Sequence, residues 1–350
     1  MSPGLNDEGL SEIVGFVLIL ALVMAAISLY ITYVVPAQGR EDEIQKMGQV
    51  RDWFVNYKTQ VDTLWLNSPP TVPFRYIRSQ DPNSRDALNR VIVDPEGLFS
   101  TTSGGTTLSQ VLDPATGSST TPARMFIPIL APARSSARVG LTNGETFTIT
   151  TNSTYDTVTM PMRGLEFQSQ NNYWIQQTYT YQNGGVFLVQ NVTGDNADIS
   201  VMAYPPIAII NDTKNTSNLT PSPEVNIVLV NMAGTTEGAI GTSSPVMVRT
   251  WLNDPPNYMI ANRTFSSVTL TAHTRSQPYA RMWVDTFNNA VRSGITNTTA
   301  TQPNETAEII PDTNYARITI YPSGQNTSVN LTVSQANYTA HLQNVQSMME

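Results

Sequence analysis

Eleven asparagines stand in the pattern Asn-x-Ser/Thr: Asn152, Asn191, Asn211, Asn215, Asn218, Asn262, Asn297, Asn304, Asn326, Asn330 and Asn337. The chemistry this pattern supports is attachment of a glycan to the side-chain amide of a surface loop in an exported protein. All eleven lie beyond residue 150, and three of them crowd into NDTKNTSNLT. Asn211, Asn215 and Asn218 sit in a polar loop and are the best acceptors. Asn330, inside an alternating strand-like run, is the poorest. The C-terminal bulk is therefore expected on the extracytoplasmic side.

No other set of residues has the spacing of a reaction centre. The 350-residue chain has no cysteine, which removes disulfides, thiolate metal sites and a Cys nucleophile. His273 and His341 lie far apart in polar surroundings and read as surface residues. Gly-x-Ser-x-Gly, His-Glu-x-x-His and a phosphate-cradling glycine loop are all missing. Asp94-Pro95-Glu96 and the run from Asp195 to Asp198 read as turn and solvating groups, the second at most a contributor to a surface calcium site. The reading is no enzyme, no catalytic residue, no cofactor and no metal. A carboxylate pair assembled only by folding is invisible at this level, so a glycan-processing site stays open. A net charge of −8, with 13% charged residues and no basic cluster, argues against nucleic acid.

The element that must position everything else is residues 13 to 35, IVGFVLILALVMAAISLYITYVV, a stretch without a charge. At about 1.5 Å per residue a helix of this length reaches roughly 34 Å, enough to cross a hydrocarbon core of about 30 Å. Tyr30 and Tyr33 mark its far end as an interface. The preceding MSPGLNDEG carries acids and no basic residue, so flanking charge gives no orientation, and the glycosylation pattern supplies it instead.

The junction GLSEIVGFVLILALVMAAISLY, residues 9 to 30, resembles the class III signal of archaeal type IV pilin-like proteins. There a short polar leader ends in Gly and is cut by a prepilin-type peptidase ahead of a pattern like V-S-P-V-I-G-x-x-L. Ser11, Ile13, Val14 and Gly15 match; Glu12 stands where many such proteins have Pro, and the leader lacks a basic residue. The resemblance implies cleavage between Gly9 and Leu10. It also implies two partners besides membrane lipid, the peptidase and other pilin-like helices of the same or a different chain. In that family a carboxylate near the processed terminus is thought to neutralise a neighbouring subunit's amine. Glu12 either takes that inter-subunit role or lies unpartnered among headgroups.

After Pro36, which is expected to kink the helix, Ile44, Met47, Val50, Phe54, Tyr57, Val61 and Leu64 recur at spacings of three and four. This predicts an amphipathic helix to about Trp65. Beyond Asn67-Ser68-Pro69-Pro70 the period becomes two. Strands are expected at 74–77, 91–93, 147–150, 173–181, 186–189, 227–230, 246–252 and 317–321, with turns at Asn143-Gly144 and Asn183-Gly184-Gly185. One helix is expected around Trp283, Phe287, Ala290 and Val291, ending at Gly294. Residues 100 to 122 are rich in Gly, Ser and Thr and read as a long loop.

The fold class is α+β: a long N-terminal transmembrane, pilin-like helix followed by a mainly antiparallel, sandwich-like extracellular β head. The divisions are a leader (1–9), a span (10–36), an amphipathic stalk (37–67) and a head (70–350) of one or two β subdomains divided near 100–122. A broader likeness of the chain to large archaeal secreted proteins, in runs such as Asn226 to Asn231 and Ser267 to Arg275, implies a surface protein and no particular reaction. The expected function is a structural or adhesive filament subunit or cell-surface component, single-pass in the cell membrane or in an extracellular filament. The alternative is a membrane-tethered binding protein or glycan-processing hydrolase.

Overall fold

The uncharged stretch and the stripe after it form one continuous helical rod. The computed structural model describes residues 7–67, 107–113, 131–153, 156–190, 197–210, 223–234, 239–242, 244–253, 256–294, 306–309, 314–322 and 328–344. In it α1 (Asp7–Leu29) passes through a π-helical turn (Tyr30–Val34) into α2 (Val35–Leu66). At about 1.5 Å per residue the rod is roughly 90 Å long. Where the sequence predicts a kink, the helix widens: the Val35 N–H donates to the Tyr30 carbonyl, five residues back. Pro36 then enters the first turn of α2, where its missing N–H costs little.

The stalk half packs on the head through Gly39, Glu43, Met47, Val50, Phe54, Tyr57 and Val61, a stripe at spacings of four and three. Ile44, which the apolar periodicity includes, is 38% exposed, and Glu43 is buried in its place. The Glu43 carboxylate accepts the N–H groups of Asn172 at 2.7 Å, Tyr173 at 2.8 Å and Trp174 at 2.6 Å. Charge-assisted bonds of this kind offset the cost of taking the carboxylate out of water. One turn earlier, Gly39 lies so close to the Tyr173 ring that a Cβ would overlap it. Farther up, Tyr57 shares a 2.6 Å hydrogen bond with Thr250, and the Tyr338 hydroxyl donates to the Val61 carbonyl at 2.9 Å. Lys46 pairs with Asp113 at 2.9 Å.

Three sheets make the head. The first has the order β1 (Thr107–Leu112), β12 (Val246–Leu252), β17 (Val329–Asn344), β10 (Glu224–Gly234), β9 (Ile207–Ile210), with β13 (Asn257–Phe265) also on β17. The second runs β11 (Ile240–Thr242), β2 (Ser136–Leu141), β5 (Gly164–Gln170), β6 (Gln177–Gln182), β7 (Gly185–Gln190), β8 (Asp198–Ala203). The third runs β15 (Thr306–Ile309), β16 (Tyr315–Ile320), β14 (Val268–His273), β3 (Thr146–Thr151), β4 (Val158–Pro161). Among the described strands every pair is antiparallel except β10 with β17. The helix α3 (Gln277–Gly294) inserts Trp283 and Phe287 against Phe147.

Two apolar cores result, one around α3 and one around α2, and β7, β10 and β17 serve both. Strand β7 does so by simple alternation: Val186 and Leu188 face the α2 core, Phe187 and Val189 the α3 core. The other two do it differently. In β17 the buried apolar positions are Val329, Leu331 and Val333, then Ala336, Tyr338, Ala340 and Leu342. In β10 they are Val225, Ile227 and Leu229, then Val230 and Met232. The β10–β17 register is unbroken, so the change of parity means that the buried side of the sheet inverts part-way along. The inversion falls at Leu229–Val230 beside Gln335–Ala336, where the β6–β7 turn abuts: the Asn183 side-chain oxygen accepts the Val230 N–H at 2.9 Å.

Several local expectations shift. The strand expected over 173–181 begins at Gln177, because Tyr173 and its neighbours turn to cover Glu43. Strand β1 lies within the stretch read as a loop, paired to β12 along its whole length. Asn183 and Gly184 have φ of 46° and 75° and close a hairpin as expected. Gly144, at φ 90°, instead links β2 of one sheet to β3 of another. The segments 74–77 and 91–93 lie outside the described residues.

Glu43→Ala leaves three enclosed N–H groups without an acceptor and is expected to lower unfolding free energy by about 3 kcal/mol or more in denaturant titration. Glu43→Gln, which keeps one carbonyl oxygen, should lose less. Gly39→Ala should cost about 1–3 kcal/mol by overpacking against Tyr173. Values near zero for all three would mean that the stalk is not held at this point.

Candidate functional site

The largest chemically distinctive surface is the rod below the head. Large side chains from Ile13 to Val34 stand open on all sides, with Phe16 at 67%, Leu22 at 72% and Tyr33 at 69% exposure. The head begins to cover the rod at Val35, which is only 6% exposed. A helix apolar around its circumference needs lipid or other helices on every face. Residues 13 to 34 make about 33 Å of helix, close to a hydrocarbon core of about 30 Å. Thr32 donates its hydroxyl to the Ser28 carbonyl at 2.8 Å, satisfying it internally as an apolar surrounding requires. Gly9, Leu10 and Glu12 fall in the opening turns of α1.

Four of the eleven glycan-acceptor candidates lie in the described head. Asn152 is exposed, and its side-chain oxygen accepts the Ser266 N–H at 3.2 Å. Asn262 is exposed at a register shift of β13, with φ 43°. Asn330 and Asn337 are half-buried in β17. Thr264 sits opposite Asn330, and the Asn262 N–H donates to Thr332 Oγ1 at 3.3 Å, so the Asn262 and Asn330 motifs adjoin. The Asn337 side-chain oxygen accepts from Gln335 at 2.7 Å and Asn231 at 3.3 Å, which ties it into the strand face. Asn191, Asn211, Asn215, Asn218, Asn297, Asn304 and Asn326 lie outside the described residues.

A second cluster joins carboxylates far apart in sequence. Glu145, in the β2–β3 link, is 2% exposed and accepts the Arg275 N–H at 2.9 Å and a bond from the Gln182 amide. Glu166, on β5, accepts from the Arg275 guanidinium and from Gln168 at 2.6 Å. Arg275 also donates to the Tyr279 hydroxyl and lies 4.2 Å over that ring. Each carboxylate is thus held by donors from two or more elements. The arrangement braces the start of α3 against the second sheet, with the carboxylate oxygens bound to fixed donors. Glu166 also borders an open polar depression of about 150 Å³ with Arg138, Gly140, Leu141, Gln168 and Ala239. Among the described residues no three His, Asp or Glu side chains converge as metal ligands.

Sequence reasoning missed Glu43 and the Arg275 cluster. Glu43 has a signal: it continues the stripe of Met47, Val50 and Phe54 backwards by one step. Glu145, Glu166 and Arg275 have none, because strand pairing across two sheets brings them together.

Arg275→Met leaves two enclosed carboxylates without their cation and is expected to cost about 2–4 kcal/mol, tempered because the arginine side chain is 33% exposed. Buried phenols add a pH limit. Burial pushes Tyr179 and Tyr279 up to about 12, and raises Tyr57, Tyr181 and Tyr338 further. A folded-state pKa above the unfolded value near 10 gives stability that is complete below pH 10 and is lost as pH rises through the folded values. Phenolate absorbance of these five tyrosines should therefore appear together with loss of circular dichroism above about pH 10.

Comparison of the chain with protein-family models, with curated proteins and with solved structures finds no match.

Proposed function

We propose that this chain is a surface protein of the archaeal type IV pilin-like kind, held in the membrane by its N-terminal helix and displaying its β-rich head outside. The observation that carries the reading is the rod from Ile13 to Val34, uncharged, open on every face and fused without a break to a clamped stalk. Before assembly its circumference is covered by lipid; in a filament it is covered by like helices, and the head becomes the displayed surface. Cleavage between Gly9 and Leu10 by a prepilin-type peptidase would free the rod's end, and Glu12 would then stand third from the new terminus. The asparagines in Asn-x-Ser/Thr positions, all on the head, support an extracytoplasmic location and a glycosylated exterior. The role is structural or adhesive, with no reaction assigned.

The test uses native protein. The chain should sediment with membranes through a carbonate wash, require detergent, and show a mature start at Leu10 in N-terminal mass spectrometry. Shed fibres containing the chain would support the filament role. An intact N-terminus with membrane retention would leave a plain anchor, and a freely soluble monomer in the absence of detergent would overturn the reading.

A further inference from the structure

The loop that clamps Glu43 stands close to where the rod meets the head. The uninterrupted run of exposed large apolar side chains ends at Val34, and Gly39, beneath the Tyr173 ring, is five residues on, about 8 Å along the helix. If the hydrocarbon core ends at Tyr33–Val34, the polar headgroup layer extends a further 5–8 Å or so on that side. The Tyr173 ring at Gly39 and the Trp174 ring at Arg40 are therefore about level with the top of that layer, while the backbone of the turn Asn172–Ile175 sits higher, at Glu43. Its composition fits the place: Ile175 is 36% exposed, and Trp174 is half-buried with the Arg40 guanidinium 4.5 Å over its ring. Arg134, exposed, accepts from the Asn172 side chain through its carbonyl at 3.0 Å and adds a second cation next to the turn. Trp rings and arginines are the side chains that settle at the membrane–water boundary.

We infer that the turn Asn172–Ile175, with Arg40, is a membrane-contacting foot that rests in the lipid headgroup layer and fixes the height of the head above the bilayer. The inference rests on the membrane insertion proposed above and adds a second contact, from the head itself. Because the turn is also the nest that holds Glu43, one short segment would engage both the rod and the lipid surface.

The absence of native cysteine allows single nitroxide labels. Ile175→Cys reports the foot and Leu20→Cys the span. Leu66→Cys, 54% exposed at the far end of α2 and about 48 Å along the rod from Val34, is the distant control. The full chain is reconstituted in phosphatidylcholine vesicles containing a nickel-chelating lipid, and relaxation enhancement is read at each label. Oxygen access should mark the label at 20 as lipid-embedded. Nickel at the headgroups should relax the label at 175 at least several-fold more than that at 66. If the label at 20 is in lipid but those at 175 and 66 respond alike, the foot is overturned and the anchor stands. A label at 175 that is shielded only as protein density rises would point to a second copy and overturn the lipid contact. If the label at 20 is outside lipid, both readings fall.

Discussion

One carboxylate fixes the relation between the two halves of this molecule. A rod that is apolar all round can turn freely about its axis in lipid, so only its upper half can tell the head where to sit. Glu43 supplies that reference, because three amides of a single turn converge on its two oxygens. The contacts that follow, from the Gly39–Tyr173 approach to the Tyr338–Val61 bond, extend one alignment over the length of α2. Rod and head are consequently joined along the length of α2 and not at a single hinge.

The head needs an unusual strand to receive that body. Most half-buried strands keep their apolar side chains on one face, which commits a sheet to one core. Strands β10 and β17 change faces together, so one sheet supports α3 at one end and α2 at the other. The side chain of Asn183 occupies the hydrogen-bonding site that opens where β9 has ended. The head thus carries two cores without a linker between them, and α2 is structural to the head as much as it is a stalk.

The elements with a strong period were legible in the sequence. The uncharged span, the amphipathic stalk, α3 around Trp283 and Phe287, and the strand over Val246–Leu252 all carry their burial pattern in their own residues. The turn at Asn183-Gly184 announces itself through the positive φ that it needs. What was not legible depends on partners distant in the chain. Tyr173 alternates with Tyr179 and Tyr181 as a strand residue would, yet the need to cover Glu43 takes it out of the sheet. Strand β1, a short apolar run set in a stretch of Gly, Ser and Thr, forms because β12 offers it an edge. The face inversion is written in VNLTVSQANYTAHL, where the apolar parity changes across Ser334-Gln335, a signal that a search for uniform alternation passes over. The candidate site divides the same way: the rod is read directly from composition, whereas Glu145 and Glu166 meet only through Arg275.

The π-helical turn at Tyr30–Val34 has a geometric consequence for how the two halves are clocked. One extra residue taken up in a wide turn sets every residue above it back by about 100° relative to an uninterrupted α-helix of the same sequence. The bearing of the β strands around the rod axis is thus offset by that angle from the side of α1 on which Ser28 lies. A chain shortened by one residue here could close the same turn as ordinary α-helix and keep its head on the same bearing, so the wide turn is a place where the rod absorbs a residue without re-aiming the head.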